Sequence, residues 1–323
     1  LDKLNGSTIC LYGDVRAQIR LDSYYHFFIN RPGGSTTSVA GLHRTGKTGN
    51  LSLSRDGYGY GTEYKTTGHE EAFKTGIYSD LGYFGLDPEK LCLKDFNLDH
   101  SLQRNIYICC GKNHSVYPTL WPYTTLTNES TLKQALSNTN KPEVNLILDR
   151  DGVIIEPLQK GRYVRSVNDI RIIHPLLELI SSKAEKIGGI QVLTNQPGIQ
   201  SGLISAEKYD GICQYIYETF ATQTGLEVTI NTCGHTIEYG CDCRKPSPLK
   251  ILDHIHKYAW RRENTILVGD SGVDRATAGN LDCSFVMATP SPMLDWIDEL
   301  GFLIDKTTSA CNWSNRLCWL PHG

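Results

Sequence analysis

The chain has 323 residues with 21% charged, 40% hydrophobic and a formal net charge of -3. At roughly 100 to 200 residues per domain, that length suggests two domains. The balance leaves no basic patch to argue for nucleic acid and no apolar run of membrane-spanning length, so nucleic-acid and membrane partners are not expected. The chain opens on Leu1 with no charged-then-apolar leader, as expected of a fragment or a processed product. Its 11 cysteines include a Cys-x-Cys beside a His, which reads as metal binding in a reducing, cytoplasmic setting rather than as a disulfide framework.

The first part, residues 1–140, opens with the apolar run Ile9-Cys10-Leu11-Tyr12, closed by Gly13-Asp14-Val15, and continues into a helix-like segment from Asp22 to Asn30. From Thr36 to Ile77 the chain is rich in Thr, Ser, Tyr and Gly, with turn signals such as Arg55-Asp56-Gly57, and predicts antiparallel strands and hairpins. Tyr78 to Phe84, Ile106 to Cys109 and Pro122 to Leu126 predict further strands, and Ser130 to Ser137 a short helix.

This order of pieces resembles the second half of a sugar-1-phosphate nucleotidyltransferase. Leu11-Tyr12-Gly13-Asp14 resembles that family's strand ending in a metal-binding aspartate, Arg55-Asp56-Gly57 its Asp-Gly hairpin, and Asp80-Leu81-Gly82-Tyr83-Phe84 its sugar-contacting strand. The resemblance implies a partial α/β nucleotidyltransferase-like domain over residues 1–140. The family's Gly-rich triphosphate loop is not in this sequence, and Tyr123-Thr124-Thr125-Leu126-Thr127 stands where its second metal aspartate is expected. Without backbone amides to cradle a triphosphate, no nucleotidyl transfer is expected. Asp14 then reads as a turn residue and the domain as structural, with room for an oligomer formed through it.

Asn138-Thr139-Asn140-Lys141-Pro142 is a polar linker, and beyond it strands and helices alternate. Strands are predicted at Val144–Leu148, Ile190–Thr194, Glu227–Thr232, Thr265–Val268 and Ser284–Ala288. Helices are predicted at Pro175–Ile187, Ser205–Gln223, Pro248–Tyr258, Asp274–Gly279 and Met293–Leu300. Such alternation implies a doubly wound parallel α/β sheet over residues 141–305. Residues 306–323 form a tail with no assigned role.

The first of these strands runs into Asp149-Arg150-Asp151-Gly152, so two carboxylates sit at the carboxyl end of a buried parallel strand, where open α/β sheets keep their ligands. Such a pair suits a hard divalent cation; a solvated Asp-Gly turn is the alternative. Three further strand ends are polar: Thr194-Asn195-Gln196-Pro197-Gly198, Arg244-Lys245-Pro246, and Gly269-Asp270-Ser271-Gly272-Val273-Asp274. In this order and strand-to-loop context they resemble the four motifs of the haloacid dehalogenase superfamily of phosphohydrolases.

The resemblance implies Asp149 as nucleophile, forming an aspartyl-phosphate, and Asp151 as the acid that protonates the leaving group and then the base that activates water. It implies Mg2+ held by Asp149, Asp270 and the backbone carbonyl of Asp151. Thr194 and Asn195 would bind a phosphoryl oxygen, and Lys245 would offset its charge. Asp274 reads as orienting Lys245 or a metal-bound water, or alternatively as a helix N-terminal carboxylate.

Cys233-Gly234-His235 followed by Cys241-Asp242-Cys243 supplies three thiolates and one imidazole, a closed four-ligand set for structural Zn2+; ordinary buried thiols are the alternative. The remaining cysteines read as core or incidental thiols. Together with Thr194-Asn195-Gln196-Pro197-Gly198-Ile199, the cluster resembles the branch holding D-glycero-D-manno-heptose 1,7-bisphosphate phosphatases and histidinol-phosphate phosphatases. Where those relatives carry an Arg after Gly198-Ile199, this chain has Gln200-Ser201-Gly202. Arg150, Lys160, Arg162 and Arg244 are the nearby basic residues able to replace it, Arg150 and Arg244 foremost as substrate contacts. The resemblance implies a Mg2+-dependent phosphatase of a small phosphorylated sugar, foremost D-glycero-D-manno-heptose 1,7-bisphosphate at its 7-phosphate. Histidinol phosphate is the alternative substrate, and an idle scaffold or nucleotide-sugar binding protein the alternative class.

Overall fold

The computed structural model describes residues 8–11, 15–19, 21–30, 36–42, 52–56, 59–63, 78–87, 94, 96–97, 99, 105–106, 114–125, 129–130, 133, 143–157, 163–290 and 295–317. The chain divides into two compact units, Leu1–Ala135 and Leu136–Gly323.

The first unit holds β1 (Thr8–Leu11), β2 (Val15–Arg16), α1 (Leu21–Asn30), β3 (Thr36–Leu42), β4 (Ser52–Asp56), β5 (Gly59–Glu63), β6 (Tyr78–Leu86), β7 (His114–Thr119) and β8 (Thr124–Thr125). A six-stranded sheet runs β1-β6-β3-β7-β5-β4, and β2 pairs with β8. The expected hairpin is present as β4 and β5, closing at Asp56 opposite Gly59. Two expectations are corrected. The sheet is mixed, because β3 pairs with β7 in parallel, and Ile106 is helical rather than extended. The parallel pairing joins strands far apart in sequence, which local alternation does not reveal. Tyr24 and Phe28 on one face of α1 are fully buried, and the Tyr24 hydroxyl meets Thr37 Oγ1 at 2.9 Å. Asp14, Lys160 and Arg162 lie outside the described residues.

The second unit holds β9 (Val144–Leu148), α2 (His174–Ser182), β10 (Ile187–Asn195), α3 (Ala206–Thr224), β11 (Val228–Cys233), α4 (Leu249–Lys257), β12 (Thr265–Gly269), α5 (Gly272–Leu281), β13 (Ser284–Met287) and α6 (Asp295–Leu317). The five strands form one sheet in the order β11-β10-β9-β12-β13, and every pairing is parallel. This is the expected doubly wound fold. All of β9 is buried, as its aliphatic run requires of a central strand covered on both faces. Helices α2, α3 and α6 share one hydrophobic core with Val144, Leu146 and Leu148, while α4 packs on β10 and β11, and α5 on β12 and β13.

Both ends of α3 follow their capping chemistry. Ser205 caps α3, accepting from Lys208 N, and Gly225 closes that helix with φ 70°, a left-handed conformation that costs glycine nothing. Helix α2 stops at Ser182 instead of running to Ile187, because Gly188 and Gly189 are poor helix formers and Ile187 pairs with Val144 in the sheet. Helix α6 runs past the expected Leu300 through residues read as a tail. Trp296, Ile297, Leu300, Ile304 and Thr308 form a buried stripe at helical spacing, and Lys183 and Lys186 converge on Asp305 at 2.7 and 2.8 Å. No described helix is long and apolar enough to cross a membrane.

Candidate active site

Because the chain leaves β9 toward β10 on one side and later returns to β12 on the other, a crevice opens at the carboxyl ends of these central strands. The polar segments after β9, β10, β11 and β12 all arrive there. Asp149 N donates to Val268 O at 2.9 Å, which carries the sheet pairing one residue beyond β9 and fixes the first carboxylate at the rim. The chain then turns sharply: Ile154 N and Ile155 N both donate to Arg150 O at 3.0 Å.

Lys245 is the centre of the charge arrangement. Its Nζ lies 2.8 Å from Asp149 Oδ1 and 2.6 Å from Asp274 Oδ1, and all three side chains are buried or nearly so. Burial works against the Lys245 ammonium, but the charges of Asp149 and Asp274 outweigh it and its pKa is raised. Burial also lifts the Asp149 carboxyl to about 7; Lys245 opposes the rise, and the neighbouring charges of Asp274 and Asp151 add to it. Asp274 combines the two arrangements that were alternatives in the sequence. One oxygen holds Lys245, and the other accepts from Ser271 N at 3.2 Å in a capping box that starts α5.

The backbone of Lys245 is equally fixed. Its N–H donates to Asn195 Oδ1 at 3.0 Å, and Asn195 Nδ2 donates to Lys245 O at 3.3 Å. The Asn195 carboxamide, expected on a phosphoryl oxygen, is therefore engaged at both ends in presenting the lysine.

Asp149, Asp270 and Asp274 offer carboxylate oxygens within 4.8 Å of one another. Burial first, then the charge of Asp274, raises the Asp270 pKa. Gly152, at φ 81°, is where a side chain would have stood: a Cβ there would collide with the Asp270 carboxylate. With both Asp274 oxygens engaged by Lys245 and Ser271, Asp149 and Asp270 are the carboxylates left to face one another, and with a glycine clearing the space beside Asp270 they make a donor pair suited to a hard divalent cation.

Asp151 points to a different set of partners. Arg150 Nη2 reaches its two oxygens at 2.9 and 2.8 Å, and Gln196 Nε2 donates to Oδ2 at 2.8 Å. The same Gln196 nitrogen donates to Thr194 Oγ1 at 2.8 Å. Arg150 was expected at the substrate; instead it is only 2% exposed, with its guanidinium on Asp151 and 5.9 Å from the Tyr209 ring. The bulk of the side chain is drawn into the core, and a buried cation keeps the carboxylate beside it. Gln196 is the site residue that sequence reasoning passed over, although it directly follows Thr194 and Asn195.

The Cys/His cluster closes beside Lys245. Sγ atoms of Cys233, Cys241 and Cys243 lie 3.4 to 3.5 Å apart, and His235 Nδ1 lies 3.3 Å from Cys243 and 3.7 Å from Cys233. A tetrahedral site with metal–sulfur bonds near 2.3 Å has edges of about 3.8 Å, so these four atoms have the dimensions of a zinc cage. Arg244 Nη1 donates to His235 O at 3.0 Å, and Gln200 Oε1 accepts from Thr236 N at 2.7 Å. Both residues thus tie the loop to itself and to the turn after β10. Tyr239 stacks on the His235 ring, centroids 4.6 Å apart.

No family model matches the chain. Over 139 residues it is 33% identical to the D-glycero-beta-D-manno-heptose-1,7-bisphosphate 7-phosphatase of Helicobacter pylori, covering 42% of this chain and 76% of that protein. Over 175 residues it is 31% identical to the enzyme of the same name from Vibrio cholerae, covering 51% of this chain and 90% of that protein. A crystal structure of the Bordetella bronchiseptica D,D-heptose 1,7-bisphosphate phosphatase complexed with magnesium and phosphate aligns with 27% identity and a TM-score of 0.41, over 45% of this chain and 79% of that one.

Proposed function

The chain belongs to the haloacid dehalogenase superfamily of phosphatases, in the family of the heptose 1,7-bisphosphate 7-phosphatases, and on that premise we propose that it removes the 7-phosphate of D-glycero-D-manno-heptose 1,7-bisphosphate with Asp149 as nucleophile. The observation that carries this reading is the buried Asp149–Lys245–Asp274 ion triad at the carboxyl end of the central strand, with Asp270 beside it.

Asp149 and Asp270, with the backbone carbonyl of Asp151, would hold Mg2+, whose charge when bound lets an anionic nucleophile approach a phosphate dianion. Lys245 offsets the charge of the phosphoryl oxygens from the other side. The Thr194 hydroxyl donates to one of these oxygens. An Asp149 oxygen forms the new bond to phosphorus as the bond to the sugar oxygen breaks, and Asp151 in its acid form gives its proton to that oxygen. Asp151, now a carboxylate, then takes a proton from water as the water oxygen attacks phosphorus, releasing inorganic phosphate and restoring Asp149. Zn2+ on Cys233, His235, Cys241 and Cys243 would have no open position for water or substrate. Its part is to hold the loop that ends in Lys245.

Histidinol phosphate remains the alternative substrate. The nucleotidyltransferase-like order of motifs in residues 1–140 favours the heptose, since phosphatase and nucleotidyltransferase act at neighbouring steps toward an activated heptose; this support is by association. The test is phosphate release from heptose bisphosphate, histidinol phosphate and hexose phosphates, with and without Mg2+. Turnover should be greatest on the heptose, require Mg2+ and vanish in Asp149→Asn. Turnover retained by that variant would remove the assignment.

A further inference from the structure

We propose that Gln196 is a positioning residue that joins the acid–base Asp151 to the phosphate-binding Thr194, so that one carboxamide sets the orientation of both; this rests on the phosphatase reading above. The Gln196 backbone is held at the end of the sheet, its N–H donating to Cys233 O at 2.7 Å and its carbonyl accepting from Ile199 N at 3.2 Å. With the main chain held and the residue only 7% exposed, its side chain has little freedom.

The carboxamide nitrogen has two protons and two acceptors, Asp151 Oδ2 and Thr194 Oγ1, each at 2.8 Å. Both protons are therefore used. A hydroxyl that accepts from Gln196 keeps its own proton to donate, and the Thr194 proton is then directed to a phosphoryl oxygen rather than to Asp151.

On its far side Asp151 is gripped by Arg150, whose Nη2 contacts both carboxylate oxygens and whose Nε lies 3.2 Å from Oδ1. Arg150 Nη1 is buried with no hydrogen-bond partner among the described residues. An unsatisfied buried donor is costly, so the guanidinium is placed to serve Asp151 at the expense of its own hydrogen bonding. Asp151 itself remains 44% exposed. It is thus clamped on one edge by Arg150, tethered by Gln196 and otherwise open to solvent.

Only a side chain of this length carrying two protons fits the bridge. Glutamate has the same shape but no donor, and it would set another carboxylate against Asp151. Methionine keeps the length and loses both hydrogen bonds.

The test compares wild type, Gln196→Met, Gln196→Glu and Asp149→Asn on an alkyl sugar phosphate and on p-nitrophenyl phosphate, with inorganic phosphate as inhibitor and thermal unfolding as the fold control. In Gln196→Met, kcat on the alkyl phosphate should fall about tenfold or more, a fraction of the full general-acid contribution. The fall on p-nitrophenyl phosphate should be smaller, because that leaving group departs without a proton. Inhibition by phosphate should weaken, because Thr194 is no longer directed. Gln196→Glu should lose more on both measures, and it provides the readout if Gln196→Met fails to fold. Wild-type kinetics in either variant would overturn the proposal, as would equal losses on both substrates with unchanged phosphate inhibition. If wild type itself releases no phosphate, the phosphatase reading falls. With wild type active and Asp149→Asn inactive, the Gln196 result stands by itself.

Discussion

The Lys245 ammonium lies 2.8 Å from Asp149 Oδ1, joining the loop after β11 to the central strand β9 across the carboxyl end of the sheet. Asp274 takes the same ammonium from the other side at 2.6 Å. The lysine is therefore the only one of the three whose removal leaves two buried like charges facing each other.

Lys245→Met should cost about 3–5 kcal/mol of stability, the range for breaking a buried ion pair by removing one partner, together with all turnover. Urea unfolding measures the first and phosphate release the second. Adding Asp274→Asn should return part of the stability and none of the activity. A single variant as stable as wild type would show that the triad is not the ion cluster described.

Gly152→Ala tests the space beside Asp270. The new Cβ would meet the Asp270 carboxylate, and the backbone at φ 81° would be strained, by about 1–2 kcal/mol for a non-glycine residue. The Mg2+ concentration needed for half-maximal activity should rise several-fold as Asp270 is displaced. An unchanged Mg2+ requirement would remove Asp270 from the proposed metal site.

Native mass spectrometry should find about one zinc per chain, as four side-chain ligands imply. Cys241→Ser should lose that zinc and lower activity at saturating Mg2+, because Lys245 lies two residues beyond Cys243. A zinc-free protein that is folded and fully active would return the cluster to ordinary thiols.

His254 makes stability depend on pH. Burial first, then the charge of Lys257, lowers its pKa from the ordinary 6.5 to about 4, in keeping with its ring nitrogen Nε2 meeting the Gln191 side-chain amide at 3.0 Å. Between these values the unfolded chain binds a proton that the folded chain refuses. The contribution of His254 is therefore fully present above about pH 6.5 and is lost as pH falls toward 4. Unfolding free energy should decline over that window in wild type and less steeply in His254→Gln. Parallel declines would assign the pH dependence elsewhere.

The residues Val144–Leu148, followed by Asp149 and Asp151, were legible as a buried parallel strand ending in paired acids because a strand covered on both faces must be continuously aliphatic. The Cys233, His235, Cys241 and Cys243 spacing was legible because all four lie at the end of β11 and in the loop that follows it, where distance along the chain limits distance in space. The helix predicted at Ser205–Gln223 was legible for the same local reason, since it is one continuous segment, and it is observed as α3. Other features came from contacts that no local pattern contains. The parallel partner of β3 and the extension of α6 beyond Leu300 were decided by long-range pairing and burial. So were the withdrawal of Arg150 into the core, the engagement of Asn195 by Lys245, and the bridge from Gln196 to Asp151 and Thr194. Residue types and their spacing name the groups able to do the chemistry, but a side chain's hydrogen-bond partners are fixed only when strands distant in sequence are brought to one edge of a sheet and the remaining polar atoms must be satisfied there.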